Sequence, residues 1–244
     1  MRYAIIGDIH ANLAALTAVL EDIKRQGGVD KVWCLGDVVG YGPDPHECIE
    51  LLRQVKHVCV AGNHDWGAVG KVGTTSFNPD AATVCHWTSQ QLTLSDVEYL
   101  ESLPQVIEDD NFTLVHGSPR VPIWEYLIST GIARENFNFF KTQFCLVGHS
   151  HKPLVFVLGE RGNCSASQLL PNVKLALGES RKIINPGSVG QPRDGDPKAS
   201  YAIYDNKTGL VRLYRVEYSI EDTQNRMVAR GLPMRLVARL ERGV

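Results

Sequence analysis

Five apolar runs in this 244-residue chain end in hard polar side chains, and four of the five place glycine just before them. Residues 3–6 run into Gly7-Asp8-Ile9-His10, and residues 32–35 into Gly36-Asp37. Residues 58–61 run into Gly62-Asn63-His64-Asp65, residues 112–115 into His116-Gly117, and residues 144–147 into Gly148-His149-Ser150-His151. Taken singly, Asp8 or Asp37 reads as a turn residue and His116 as a hydrogen-bonded core histidine. Taken together, Asp8, His10, Asp37, Asn63, His116, His149 and His151 form an oxygen and imidazole ligand set without thiolate. Such a set suits manganese, iron, zinc or cobalt better than calcium or magnesium. Seven ligands are too many for one tetrahedral ion and suit two divalent transition-metal ions sharing a carboxylate. Asp37, alone at the end of a run between two others, is the natural bridge.

Those side chains converge only if the apolar runs are strands of one α/β sheet, whose carboxyl ends open on a ligand-binding crevice. Apolar residues at Leu13, Leu16, Val19, Leu20 and Ile23 predict a helix over residues 12–26, capped by Asn12 and stopped by Gly27-Gly28. A second helix is predicted over residues 45–55. Strand, helix, strand succession implies a largely parallel sheet. Residues 79–103 read as a helical insertion with a fresh start at Leu94-Ser95-Asp96, where Ser95 caps and Glu98 follows three residues on. Further strands are predicted over residues 106–107, 154–158, 173–177, 182–184, 201–204 and 211–216, joined by short loops into a second, partly antiparallel sheet. Helices starting at Ser219 and Pro233 close the chain, and one domain over residues 1–244 is the simplest division. On an extended chain, residues two apart project to one side, which pairs Asp8 with His10 and His149 with His151.

Composition narrows the function classes. A net charge of −2 and a pI near 6.4 leave no global positive field for a nucleic-acid polymer or an anionic membrane. No segment reaches the length of a membrane span and no signal sequence is evident, so a cytoplasmic location is expected. Arg226, Arg230, Arg235, Arg239 and Arg242 near the end of the chain read as the solvated face of helices packed on the sheet. Six scattered cysteines read as small buried thiols rather than disulfides. Self-association into a homo-oligomer is not readable from the sequence.

The stretches "GDIHAN", "GDVVGYGP", "GNHD", "VHGSP" and "GHSH", in that order, resemble the motif blocks of the calcineurin-like metallophosphoesterases. "NPGSVGQPRDGDP", from residue 185, resembles a loop of the bacterial and archaeal small phosphoesterase branch. The resemblance implies a four-layer α/β/β/α sandwich, two mixed sheets flanked by helices. It implies that Asp8, His10 and His151 hold one ion and Asn63, His116 and His149 the other, with Asp37 between them. His64, left unligated and supported by Asp65, would stabilise the transferring phosphoryl group or protonate the leaving alkoxide. The implied activity is hydrolysis of a small phosphomonoester or phosphodiester by a metal-bound hydroxide.

One departure bears on substrate. Where protein phosphatases and diadenosine tetraphosphatases carry Asp-Arg-Gly, this chain carries Asp37-Val38-Val39, without the arginine. Arg120 and Arg193 are candidate replacements for gripping phosphate, and Tyr41 and Trp124 are candidates for stacking on a base or aromatic leaving group. The competing readings are a catalytically inactive scaffold of the same fold and a metal-dependent nucleotide-binding protein. The complete ligand set together with His64 favours an enzyme.

Overall fold

The computed structural model describes residues 1–244. Twelve strands form two six-stranded sheets. The first sheet is ordered β3-β2-β1-β11-β12-β9, from β1 (Arg2–Ile6), β2 (Lys31–Cys34), β3 (His57–Cys59), β9 (Lys174–Ala176), β11 (Ala199–Asp205) and β12 (Leu210–Val216). The second is ordered β4-β5-β6-β10-β7-β8, from β4 (Val106–Asp109), β5 (Phe112–Val115), β6 (Phe144–Leu146), β7 (Pro153–Leu158), β8 (Cys164–Gln168) and β10 (Lys182–Pro186). Both are mixed: β1, β2 and β3 run parallel, as do β5, β6 and β10, while the remaining neighbours are antiparallel.

The helices are α1 (Leu13–Arg25), α2 (Pro45–Arg53), α3 (Asn63–Ala68), α4 (Pro79–Ser89), α5 (Leu94–Ser102), α6 (Thr130–Asn136), α7 (Ile220–Ala229) and α8 (Met234–Arg239). Strand β1 shows how the layers stack, because alternate residues enter different cores. Ala4 and Ile6 join Leu16, Val19, Ile49 and Leu52 under α1 and α2. Tyr3 and Ile5 join Trp33, Phe112, Leu146 and Ile184 between the sheets. Both faces of such a strand are buried, which is why it reads as an unbroken apolar run. The outer face of the second sheet packs Cys145, Phe156 and Ile183 against Ala133 and Phe137 of α6 and its end. Helix, sheet, sheet, helix is the expected sandwich, with its last layer reduced to one short helix.

Most expected elements form within a residue or two of their expected ends. Asn12 caps α1 by accepting from the Ala15 N–H at 3.1 Å, and Ser219 caps α7. All six cysteines are free thiols, five of them buried. The insertion differs in detail. It is two helices, and α5 starts two residues earlier than expected: Thr93, not Ser95, caps it, in a reciprocal capping box with Asp96. Strand β8, helix α3 and helix α6 are additions to the expected set. The first is a polar edge strand and the other two are no more than seven residues long, too short for periodicity to register. No helix is long and apolar enough to cross a membrane.

Candidate metal centre

Strand order carries the five polar segments to one place. Asp8 and His10 follow β1, Asp37 follows β2, Asn63 opens α3 after β3, His116 follows β5, and His149 and His151 follow β6. Strand β2 lies between β1 and β3, so Asp37 stands between the other ligands of its sheet. The ligand atoms of Asp8, His10 and His151 lie within 4.8 Å of one another, and so do those of Asp37, His116 and His149. Asp37 Oδ2 faces both groups, 3.7 Å from His10 Nε2 and 3.2 Å from His116 Nε2. Asn63 Oδ1 is 3.1 Å from His116 Nε2. Every one of these residues is buried.

The local backbone differs from the expectation of extended chain. Asp8, His10, Asp37, His149 and His151 all have φ between 49° and 62°, the left-handed region that non-glycine residues seldom occupy. As a consequence His149 and His151 do not project together: His149 joins Asp37 and His116, whereas His151 joins Asp8 and His10. Left-handed residues cost on the order of 1–3 kcal/mol each and persist where the surroundings over-determine them. Those surroundings are visible. The Asp8 N–H donates to the Gly36 carbonyl at 3.0 Å and the His10 N–H to the Asp37 carbonyl at 2.9 Å. Ser188 donates its hydroxyl to the Asp8 carbonyl at 2.8 Å. Asn185 donates to the Gly148 carbonyl at 2.7 Å and to the Ser150 hydroxyl at 3.0 Å. Gly62 is equally constrained, because a Cβ there would collide with the Asp37 carboxylate and amide.

The histidine tautomers test whether cations fit. His10 Nδ1 is 3.2 Å from the Val39 carbonyl and His151 Nδ1 is 2.6 Å from the Gln191 carbonyl. A carbonyl only accepts, so Nδ1 carries the proton and each Nε2 presents a lone pair. Burial, foremost, holds both imidazoles well below their usual pKa, so neither takes a second proton. Yet the two Nε2 atoms are 3.1 Å apart. Two lone pairs at that distance repel unless a cation sits between them. Asp8 Oδ2 and His149 Nε2 are also buried without a hydrogen-bond partner. Burial pushes Asp8 up to about 7. His116 is held up to about 9, since Asp37 outweighs the opposing effect of burial. The protons on these two groups are the ones a cation would displace. The donor set fits divalent metal ions.

His64 lies beside the cluster, its ring 5.0 Å from His10, 4.4 Å from Tyr41 and 4.8 Å from Phe77. Burial lowers it to about 4, and its Nδ1 has no partner. Asp65 does not support it. One Asp65 oxygen accepts from the Val38 and Val39 N–H groups at 2.8 and 3.1 Å, the other from the Gly62 N–H at 2.9 Å. The expected His64–Asp65 contact is therefore absent, because Asp65 stands at the third position of α3 and closes that helix's capping box.

A cleft of about 340 Å³ opens over the cluster, lined by Asn63, His64, Tyr41, Trp124, Tyr126 and His149 among others. The two candidate arginines separate. Arg193 follows the His151 turn, its N–H on the His151 carbonyl at 3.3 Å and its guanidinium 5.7 Å from the Tyr41 ring. Arg120 is held by the carboxylates of Glu125 and Glu135 and does not line the cleft. Tyr41 packs edge-on against His10 and is almost wholly buried, which leaves little of its ring for stacking. Trp124 stands at the cleft against Phe77. Sequence reasoning did not find Tyr126, whose ring stacks on His149 at 3.9 Å, nor the clamp made by Asn185 and Ser188. A tyrosine in a loop carries no signal until its partner is placed. His46, His57 and His86 bond Asp96, Tyr99 and Gln90 respectively, outside the cluster.

Comparison with known proteins agrees with this geometry. The calcineurin-like phosphoesterase superfamily domain matches residues 1–209. An uncharacterized protein of Methanocaldococcus jannaschii is 44% identical over 243 residues, covering 97% of this chain and 96% of its own length. The crystal structure of a metallophosphoesterase from Sphaerobacter thermophilus, 49% identical, superposes with a TM-score of 0.91 over 100% of this chain and 99% of that one. A symmetrical bis(5'-nucleosyl)-tetraphosphatase of Pseudomonas putida is 31% identical over 100 residues, 35% of each chain. With the ordered motifs, the two-sheet sandwich and this match over most of its length, the chain belongs to the calcineurin-like phosphoesterase superfamily and is a hydrolase of phosphoric ester bonds.

Proposed function

We propose that the chain hydrolyses a small phosphomonoester or phosphodiester at a dinuclear metal site. Asp8, His10 and His151 would hold one ion and Asn63, His116 and His149 the other, with Asp37 shared. The observation that carries this reading is the pair of lone-pair-bearing Nε2 atoms of His10 and His151 facing each other at 3.1 Å. The position of Asp37 Oδ2 between the two histidine groups supports the shared role. When bound, such ions lower the pKa of coordinated water to roughly 7 and neutralise phosphoryl charge. Manganese, iron, zinc and cobalt all suit the donor set, and availability decides among them.

The chain's own residues supply the rest. His64 meets the substrate neutral; the negative charge of a phosphoryl group beside it raises its proton affinity, so that it takes up a proton from solvent as the substrate binds, stabilises the transferring group as imidazolium and passes that proton to the leaving oxygen. Arg193, behind Tyr41, adds a fixed positive charge. Trp124, Tyr126 and Phe77 exclude water from the cleft and offer apolar walls to the leaving group. The partial likeness to a bis(5'-nucleosyl)-tetraphosphatase supports a small substrate, as does the absence of a net positive charge.

The test is to measure bound metal and the hydrolysis of p-nitrophenyl phosphate and bis-p-nitrophenyl phosphate for the parent and for Asp37→Asn and His64→Asn. Turnover in the parent, loss of metal in Asp37→Asn and retention of metal without turnover in His64→Asn are expected. A parent inactive on both esters with every first-row metal would refute the reading.

A further inference from the structure

The five arginines near the end of the chain divide into two kinds. Arg226 and Arg230 hold Asp44 at 2.5 and 3.8 Å, and Arg230 also lies over the Trp87 ring. Arg235, Arg239 and Arg242 face no Asp or Glu carboxylate at ion-pair distance and instead line one cavity of about 590 Å³ with Asn78, Asp80 and Val244. Three guanidinium groups against one side-chain carboxylate, that of Asp80, is a local positive excess in a chain of net charge −2. Leu236 and Val237 of α8, with Leu240 after it, pack in one cluster with Tyr41 and with Ala81 of α4, while Arg235, Arg239 and Arg242 border the cavity.

This cavity adjoins the metal cleft. Asn78 lines both. Tyr41, whose ring is 4.4 Å from that of His64, lies 6.0 Å from the Arg239 guanidinium carbon and 5.7 Å from that of Arg193. Burial, with Arg193 and Arg235 adding to it, lowers the pKa of Arg239, the behaviour of a cation among cations. Of its hydrogen-bond donors, Nε is used on a main-chain oxygen of Val244, the last residue of the chain, at 2.5 Å. Guanidinium forks match phosphate geometry in paired hydrogen bonds, and arginines that outnumber the carboxylates around them raise the local concentration of anions.

We propose that the cavity lined by Arg235, Arg239 and Arg242 is an anion subsite that takes a second phosphate of the substrate while the ester phosphorus lies at the metal centre. The substrate class is then a small molecule carrying two separated phosphates or a polyphosphate chain. The proposal rests on the hydrolytic reading of the cleft.

The arginines at 235 and 242 are exposed, so Arg235→Gln with Arg242→Gln leaves the core untouched. The Mn-loaded parent and double variant are assayed with p-nitrophenyl phosphate, against adenosine 3′,5′-bisphosphate and adenosine 5′-monophosphate as inhibitors. The parent is expected to be inhibited at least tenfold more tightly by the bisphosphate. The double variant is expected to lose that preference while its KM for p-nitrophenyl phosphate stays within twofold. No preference in the parent, or a preference unchanged in the variant, overturns the proposal. Calorimetric titration of chelator-stripped full-length chain with inorganic pyrophosphate separates the two readings. A tenfold weaker Kd in the double variant supports the anion cavity even if the parent hydrolyses no ester, an outcome that would refute the hydrolytic reading alone. An unchanged Kd overturns the cavity itself.

Discussion

Asp65 follows His64 in the chain and never touches its ring: the Asp65 carboxylate clips the Val38, Val39 and Gly62 amides together, whereas His64 faces the cleft. The two neighbours thus serve different parts of the site. Asp65 fixes the turn that carries Asp37, and His64 lines the cleft.

Substituting them should separate metal binding from turnover. Asp65→Asn puts an amide nitrogen against a backbone N–H, loses at least one of three buried hydrogen bonds, and should cost about 1–3 kcal/mol. It should also reduce metal content, because the 37–39 turn loosens. His64→Asn should keep its metal and lower kcat by about 10²–10⁴. Thermal melts, metal analysis and kcat on the three proteins check this, and equal metal loss in both variants would contradict it.

Gly62→Ala should disable the site without touching a ligand. The new methyl collides with Asp37 Oδ1 and its amide nitrogen, so the Asp37 carboxylate must move. We expect about 1–3 kcal/mol of destabilisation, read as a lowered Tm, together with a sharp fall in metal affinity.

Metal affinity should rise with pH. Asp8 holds a proton up to about 7 and His116 up to about 9. Cations must displace both, so binding releases protons and strengthens as pH rises through that window, flattening above it. His10, His64, His149 and His151 are depressed by burial and contribute no protons there. Calorimetry in buffers of different ionisation enthalpy counts the released protons. A pH-independent affinity between about 6 and 9 would contradict this.

The two candidate arginines should behave differently. Arg193→Gln should raise KM for phosphate esters about tenfold, because it removes a positive charge from behind the Tyr41 wall of the cleft. Arg120→Gln should leave kcat/KM within twofold and lower Tm, because Arg120 joins Glu125 to Glu135 rather than facing substrate. Steady-state kinetics with p-nitrophenyl phosphate decide between them.

How much of this was legible from residues alone follows from what each segment had to satisfy. The convergence of Asp8, His10, Asp37, Asn63, His116, His149 and His151 was readable because apolar runs buried on both faces end abruptly in polar side chains, a pattern with few purely structural causes. The position of Asp37 followed from the strand succession, and β2 does lie between β1 and β3. The turn conformations were not readable. Left-handed φ at Asp8, His10, Asp37, His149 and His151 is imposed by long-range hydrogen bonds from the Gly36, Asp37 and Asn185 segments. No local propensity encodes those contacts. For the same reason adjacency suggested a His64–Asp65 contact that the first turn of α3 forbids. Strand β8 was invisible because Cys164-Ser165-Ala166-Ser167-Gln168 lies at an exposed sheet edge, where no apolar face is required.

The central claim is that two ions sharing Asp37 carry out the hydrolysis. Titrating the chelator-stripped chain with Mn(II), while recording ions bound per chain and p-nitrophenyl ester turnover together, tests it most directly. Two ions bound at saturation, with activity appearing as the second enters, is the predicted result. Full activity at one ion per chain would contradict it.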